Sequence, residues 1–146
     1  MKGSRQPQRK VPGTRGSEAG ERAAGSQALR KTPTDHGTRE FQAERERLNR
    51  IVMSHAGTAT KRFYHLDWQT YQPGALPAKT KEMLGLVASI VLRCDDCIRY
   101  HLIRCHEEGI GSDELEEAAA IGLIVGGSIT IPHLRRMWAA WEGMRG

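Results

Sequence analysis

Residues 76–101 read LPAKTKEMLGLVASIVLRCDDCIRYH, a largely apolar segment that opens at a proline and runs into two cysteines three residues apart. Pro77 suits the first position of a helix, and apolar side chains then follow around most of the helix circumference. A second helical pattern covers residues 94–108 and stops at Gly109, a residue suited to a left-handed helix cap. We therefore predict two consecutive helices, the third and fourth of the chain, with a reversal near Arg93.

A narrow stripe interrupts the apolar surface of the third helix. Glu82, Gly85 and Ser89 recur at the spacing of one helix face. Glycine inside a helix costs about 1 kcal/mol relative to alanine, so its presence indicates that another helix approaches closely at this stripe.

Helical periodicity continues through residues 38–146, and no stretch alternates apolar and polar residues as a half-buried strand does. We expect an all-α bundle of about six helices, the first over residues 38–55 and the second over residues 59–70. Ser112 is predicted to cap the fifth helix and Pro132 to open the sixth. The apolar side chains expected to face a core from the first, second and sixth helices are Phe41, Leu48, Ile51, Val52, Phe63, Leu66, Tyr71, Leu134, Met137, Trp138, Trp141 and Met144.

The net charge of +5 resides in the N-terminal part of the chain. Residues 1–39 hold nine Lys and Arg against three Asp and Glu, whereas the charges of residues 40–146 nearly balance. Because the first part is also rich in Gly, Ser and Pro and poor in aliphatic side chains, we predict a disordered basic tail followed by one domain over residues 40–146. Such a tail could contact RNA, an acidic partner or a membrane surface, but a solvated extension is the preferred interpretation and nucleic-acid binding is not expected.

The number of cysteines and the hydropathy of the sequence indicate the cellular compartment in which we expect the protein. The chain has three cysteines, an odd number that does not resemble the disulfide framework of a small secreted protein. No apolar run reaches the roughly 18 residues that a membrane span needs, and the N-terminus lacks the apolar core of a secretory signal. We expect a cytoplasmic protein that does not bind a membrane.

Cys94, Cys97 and His101 share one helix face, which is the layout of a thiol redox site. The thiolate is the nucleophilic form of cysteine, and an imidazole one turn away can take the thiol proton. A metal site is the rival interpretation, because Cys105 continues the same stripe. However, Cys94 and Cys105 would lie about 16 Å apart along the helix axis, whereas the ligands of one zinc ion converge. We expect no metal.

The predicted reversal matters for this site. In a hairpin of the third and fourth helices, Glu82 comes level with His101, where its carboxylate could orient and charge the imidazole. One unbroken helix would hold these two residues about 28 Å apart. The reversal also places Cys97 in the first turn of a helix, where unpaired backbone N–H groups favour a thiolate.

Two acidic residues separate the cysteines and oppose thiolate formation. Asp95 and Asp96 would raise the pKa of a nearby thiol unless they point to solvent or pair with Arg93 or Arg99. Acidic residues are also favoured in the first turn of a helix, which is the structural explanation we prefer.

Glu82 followed twelve residues later by Cys94-x-x-Cys97-x-x-x-His101 resembles the active-site signature of AhpD-like alkylhydroperoxidases in the carboxymuconolactone decarboxylase family. The later segment GGSITIPHLRR, residues 126–136, is similar to that family as well, and the resemblance covers about residues 63–137. It implies an AhpD-like helical bundle, assembly into homotrimers or homohexamers, and reduction of hydroperoxides through a disulfide cycle.

The resemblance also implies a role for each residue of the signature. Cys97 would be oxidised by the hydroperoxide, Cys94 would resolve the sulfenic acid as a disulfide, and His101 with Glu82 would relay protons. An external dithiol or thioredoxin-like electron donor would then reduce the disulfide, and no cofactor is implied. Muconolactone decarboxylation is not expected, because family members with that activity lack the paired cysteines.

A non-catalytic alternative stays open at this point, namely an oligomeric redox-sensing or interaction module whose basic tail binds a partner. The other candidate residues have structural interpretations. Cys105 is expected to be a buried apolar residue, and His133 a structural histidine. The three histidines for which we find no functional grouping are His55, His65 and His106.

Overall fold

The computed structural model describes residues 36–145, so residues 1–35 of the predicted tail lie outside the described residues. Six α-helices and no strand are found between residues 36 and 145, which confirms the all-α prediction. None of these helices is both long enough and apolar enough to cross a membrane. The helices are α1 (His36–His55), α2 (Thr58–Tyr71), α3 (Ala78–Leu92), α4 (Asp95–Glu107), α5 (Ser112–Gly126) and α6 (Ile131–Arg145), with a 3-10 turn at Ser128–Thr130.

Residues 36–39, which were assigned to the tail, lie in helix α1. This part of α1 makes a contact that is distant in sequence. The guanidinium of Arg99 on α4 donates a hydrogen bond to the carbonyl of Gly37 and lies 4.9 Å from the ring centre of Phe41. Because local composition carries no sign of such a contact, the helical conformation could not be predicted from residues 36–39 alone.

The hydrophobic core lies among α3, α4, α5 and α6. Leu86 and Ile90 of α3 are completely buried, and α3 packs against both α4 and α5. The apolar stripe predicted on the sixth helix is confirmed, since Met137 and Trp141 are buried and the other members pack against the core as half-buried side chains. These four helices form the part of the chain that carries the cysteines and the histidine.

Ser112 does not cap α5, contrary to prediction. Gly111 holds the cap position, and its N–H donates to the carboxylate of Glu114 at 3.0 Å. The Ser112 hydroxyl instead accepts a hydrogen bond from the indole N–H of Trp141 at 2.9 Å. A buried tryptophan needs a partner for its N–H. Because Trp141 lies on α6, this use of Ser112 could not be predicted from the sequence of α5 alone.

The expected inward faces of α1 and α2 are wrong for most of their residues. Phe63 and Leu66 on α2 are 69% and 61% exposed, and no residue of α2 is buried. On α1 the exposed members of the predicted set are Leu48, Ile51 and Val52, whereas Phe41 and Tyr71 are half-buried. Periodicity reports which face of a helix is apolar but not whether the same chain covers it.

Candidate active site

The reversal between α3 and α4 occurs at Arg93, as predicted. Arg93 adopts a left-handed conformation with φ 59° and ψ 35°, and its N–H donates to the carbonyl of Ile90 at 3.0 Å. The N–H of Cys94 then donates to the carbonyl of Ser89 at 3.1 Å. These bonds satisfy the last carbonyls of α3 and turn the chain so that α4 runs back along α3.

The two cysteines occupy the start of α4. Cys94 is the N-cap residue and forms a disulfide with Cys97, with 5.3 Å between their Cα atoms. The backbone N–H of Cys97 donates to Sγ of Cys94 at 3.3 Å. Cys97 is exposed while Cys94 is half-buried, so Cys97 is the more accessible of the two sulfur-bearing residues.

Glu82 and His101 form a buried pair behind the cysteines. Oε2 of Glu82 lies 2.8 Å from Nδ1 of His101, and the two residues are only 2% and 8% exposed. The other carboxylate oxygen of Glu82 accepts a longer hydrogen bond, 3.4 Å, from Nε of Arg104. The structure therefore brings Glu82 and His101 together as predicted, and it adds Arg104 as a positive charge that stabilises the buried carboxylate.

Gly85 makes room for this pair. A Cβ atom at Gly85 would lie 2.6 Å from Cε1 of His101 and 2.8 Å from the hydroxyl of Tyr71. Both separations are far below van der Waals contact, so only glycine fits without displacement of a neighbour. The close approach of a second helix to the Glu82, Gly85 and Ser89 stripe is confirmed, and all three residues are buried.

Two tyrosines surround the imidazole of His101 and were not identified as site residues from the sequence. The Tyr71 hydroxyl lies 3.5 Å from Nε2, and the Tyr100 ring meets the imidazole edge-on with 5.1 Å between ring centres. Burial, reinforced by the negative charge of Glu82, raises the pKa of both tyrosines above the usual value. Both side chains are therefore neutral hydroxyls near pH 7.

A cavity of about 210 Å³ opens at the exposed end of this arrangement. It places Cys97 and His101 on the same solvent-accessible surface. The guanidinium of Arg45 lies 3.9 Å from the ring centre of Tyr100 at the same cavity. The residues that line it are Arg45, Asp67, Asp96, Cys97, Tyr100 and His101. A small substrate in this space would contact the sulfur-bearing residue and the imidazole together.

Asp95 pairs with α6 and with neither of the arginines considered in the sequence. Its carboxylate lies 2.7 Å from Nδ1 of His133 and 2.9 Å from the guanidinium of Arg136. Slight burial raises the pKa of Asp95, but hydrogen bonds from His133 and Arg136 outweigh that effect and hold the pKa below its usual value. The charge of Asp95 is thus compensated, whereas Asp96 is exposed and lines the cavity beside Cys97. The structural interpretation of His133 is supported.

The sequence model of the carboxymuconolactone decarboxylase family matches residues 57–140, more than half of the chain. The chain belongs to the carboxymuconolactone decarboxylase family. The predicted family resemblance is therefore confirmed, and the matched segment contains α2 to α5, most of α6, and every residue of the Glu82, Cys94, Cys97 and His101 signature.

Solved structures of another member of the carboxymuconolactone decarboxylase family resemble this chain closely. Two crystal structures of the Thermotoga maritima protein TM1620 are 55% and 56% identical to it, with TM-scores of 0.72 and 0.70. They cover 73% of this chain, and the chain covers 94% and 90% of theirs. The second is described as a family member that is a candidate for involvement in an antioxidative response. An uncharacterized protein of Cupriavidus necator is 32% identical over 56 residues, and the chain spans half the length of that curated relative.

Cys105, His65 and His106 do not line the cavity of this carboxymuconolactone decarboxylase family member. Cys105 is completely buried and free, and burial raises its pKa to about 12, which confirms it as a buried apolar residue. His65 stacks on Trp68, and His106 meets the ring of Trp141 edge-on. Across the described residues 36–145, no three His, Cys, Asp or Glu side chains are grouped so that they could hold a metal ion.

Proposed function

We propose that this protein is a thiol-dependent peroxidase, or a disulfide oxidoreductase, that cycles Cys94 and Cys97 between dithiol and disulfide. The observation that carries the proposal is the buried Glu82–His101 pair, 2.8 Å apart, behind a cavity that Cys97 also lines. Family membership and the likeness to a protein described as a candidate for involvement in an antioxidative response support the same function.

The first step is activation of Cys97 in the reduced protein. Cys97 lies in the first turn of α4, where the helix dipole and free N–H groups favour a negative charge. His101 takes the thiol proton at Nε2, because Nδ1 already faces Glu82. The carboxylate then accepts a hydrogen bond from the imidazolium and stabilises its charge.

Peroxide reduction and resolution follow in two balanced steps. The Cys97 thiolate attacks the terminal oxygen of a hydroperoxide and breaks the O–O bond, which gives a sulfenic acid and an alkoxide. The alkoxide takes the proton from His101 and leaves as the alcohol. The Cys94 thiol, deprotonated as the sulfenic oxygen is protonated, then attacks Sγ of Cys97, releases water and forms the disulfide.

A second dithiol must return the electrons. We propose that a dithiol such as dihydrolipoamide, or a thioredoxin-like protein, attacks the disulfide and leaves as its own disulfide. The more exposed Cys97 suits this attack. A cytoplasmic location would supply such a reductant, because thiols are kept reduced in that compartment.

We further propose that the chain assembles into homotrimers or homohexamers. The support is the set of large apolar side chains left exposed on α1, α2 and α5, since contiguous exposed apolar surface marks association. The most exposed of them are Phe63, Leu66, Trp68, Ile124 and Val125. Sedimentation equilibrium at micromolar concentration tests this directly, and a monomer at every concentration would exclude it.

The catalytic proposal is tested by hydroperoxide consumption with dihydrolipoamide as the electron donor. We expect turnover by the parent protein, none by Cys97→Ser, and full turnover by Cys105→Ala, which removes a thiol that lies outside the site. Equal turnover by Cys97→Ser and the parent would refute the assignment. If the disulfide forms and is reduced without peroxide consumption, the redox-sensing module is the better description.

A further inference from the structure

Tyr71 is the side chain that faces the second nitrogen of the buried imidazole. Nδ1 of His101 is engaged by Glu82, and the Tyr71 hydroxyl lies 3.5 Å from Nε2, the outer limit of a hydrogen bond. The rings of Tyr71 and His101 are also in contact, with 5.1 Å between their centres. His101 is only 8% exposed, and the Tyr71 hydroxyl is the protein group described within hydrogen-bond distance of Nε2.

Two features of the fold hold Tyr71 in this place. Gly85 lacks the Cβ that would come within 2.8 Å of the Tyr71 hydroxyl. Lys81, the neighbour of Glu82, donates from Nζ to the carbonyls of Thr70 and Gln72, each at 2.7 Å. These carbonyls flank Tyr71 in the chain, so the ammonium group of α3 ties down the end of α2 on both sides of the tyrosine.

A hydroxyl suits Nε2 in both of its protonation states. It donates to the lone pair of neutral imidazole and accepts from the N–H of imidazolium by rotation about its C–O bond. Tyr71 stays a hydroxyl at neutral pH, because burial and the charges of Asp67 and Glu82 raise its pKa. The bond to the imidazolium is the stronger of the two because it is charge-assisted, so removal of the hydroxyl disfavours the protonated ring.

We propose that Tyr71 is a positioning residue of this site, whose hydroxyl pairs with Nε2 of His101 in both protonation states and thereby stabilises the imidazolium formed when Cys97 loses its proton. The inference rests on the proposed function for the use of the thiolate, but it makes a separate claim about how readily that thiolate forms. Tyr71 acts through His101 and has no contact with the cysteines among those described.

The test compares the reduced parent with Tyr71→Phe, which keeps the ring and removes the hydroxyl. Tyr64→Phe is the matched control, since Tyr64 lies on the same helix and its hydroxyl faces Asn49 at 3.5 Å. Iodoacetamide labelling of Cys97, resolved by mass spectrometry and measured from pH 5 to 10, reports the thiolate directly. We expect Tyr71→Phe to move the midpoint upward by about one pH unit and Tyr64→Phe to leave it in place.

The two proposals fail in different ways. Peroxide turnover measured at a pH below both labelling midpoints should fall roughly tenfold in Tyr71→Phe, in proportion to the thiolate fraction. An unchanged labelling midpoint in folded Tyr71→Phe overturns the role of Tyr71, whatever the peroxide assay shows. A shifted midpoint with no peroxide turnover in the parent refutes the peroxidase instead.

A measurement on the parent protein covers the case in which Tyr71→Phe does not fold. The nitrogen-15 spectrum of the His101 imidazole distinguishes a ring protonated at Nδ1 from one protonated at Nε2. We expect the neutral ring to carry its proton on Nδ1, toward Glu82, with Nε2 as the acceptor from Tyr71. A neutral ring protonated at Nε2 would contradict the arrangement.

Discussion

Replacement of Gly85 by alanine tests whether the close packing of α3 against His101 is needed for the site. An alanine inside a helix normally stabilises it by about 1 kcal/mol relative to glycine. Here the added Cβ would meet Cε1 of His101 at 2.6 Å and the Tyr71 hydroxyl at 2.8 Å. Glu82, on the same face of α3, holds Nδ1 of the imidazole, so the ring cannot retreat from α3 without loss of the 2.8 Å hydrogen bond.

The net effect of this substitution follows from two opposing contributions. Overpacking of a well-packed interior costs about 1 to 3 kcal/mol, which exceeds the gain in helix propensity of about 1 kcal/mol. We expect Gly85→Ala to lower the free energy of unfolding by about 1 kcal/mol. The imidazole would also leave the position between Glu82 and Tyr71, so thiolate formation at Cys97 should shift to higher pH.

Gly122→Ala is the control that separates these two effects. Gly122 is also a buried helical glycine, and a Cβ there would lie 2.9 Å from Cγ2 of Ile90, a core contact with no side chain of the site. Urea unfolding and pH-dependent labelling of Cys97 should show lower stability for both variants and a shifted labelling midpoint only for Gly85→Ala. A Gly85→Ala protein that is as stable as the parent and labels with the parent's pH profile would refute this account of the packing.

Three other predictions follow from the electrostatics of the site. Glu82→Gln keeps the shape but removes the charge beside His101, so peroxide turnover should fall by at least tenfold, on the order of a lost acid–base partner. The control Glu116→Gln, an exposed change on α5, should leave turnover intact. The folded-state pKa of Asp95 lies below its ordinary value of 3.8, so its pairing stabilises the fold above that pH, and this stabilisation is lost on further acidification. Between pH 5 and 2 the free energy of unfolding should therefore fall less in Asp95→Asn than in the parent. The difference should be under about 1 kcal/mol, because the pair is exposed. Cys105, with a pKa raised to about 12, should resist iodoacetamide at pH 8 in the folded protein and react once urea unfolds it.

The sequence predicted the hairpin and the central pair because both follow from local chemistry. Pro77 and Gly109 mark helix ends by backbone geometry, and the cost of glycine inside a helix made Gly85 informative. Once a reversal near Arg93 is assumed, helix rise alone brings Glu82 level with His101. Each of these inferences needed only residues within about twenty positions of one another.

The unpredicted parts depend on contacts between distant segments. Arg104 and Tyr71 carry no motif, and their roles emerge only when α4 and α2 are packed beside Glu82. The partners of Asp95 come from α6, 38 and 41 residues further along the chain. A carboxylate in the first turn of a helix is favourable without any partner, so the sequence around Asp95 does not predict that it pairs with α6.

Helix α2 contributes to the site although its apolar face is exposed. This helix supplies Asp67 to the cavity and Tyr71 to the imidazole, yet none of its residues is buried and Phe63 is 69% exposed. Its described polar ties to α3 come from Lys81 at its last turn. A subunit contact that covered the apolar face of α2 would hold Tyr71 more firmly against His101. By thermodynamic linkage, an interaction that stabilises the Tyr71–His101 contact would then favour assembly by the same free energy. Assembly and thiolate formation should therefore rise and fall together if the homo-oligomer proposed above uses this face.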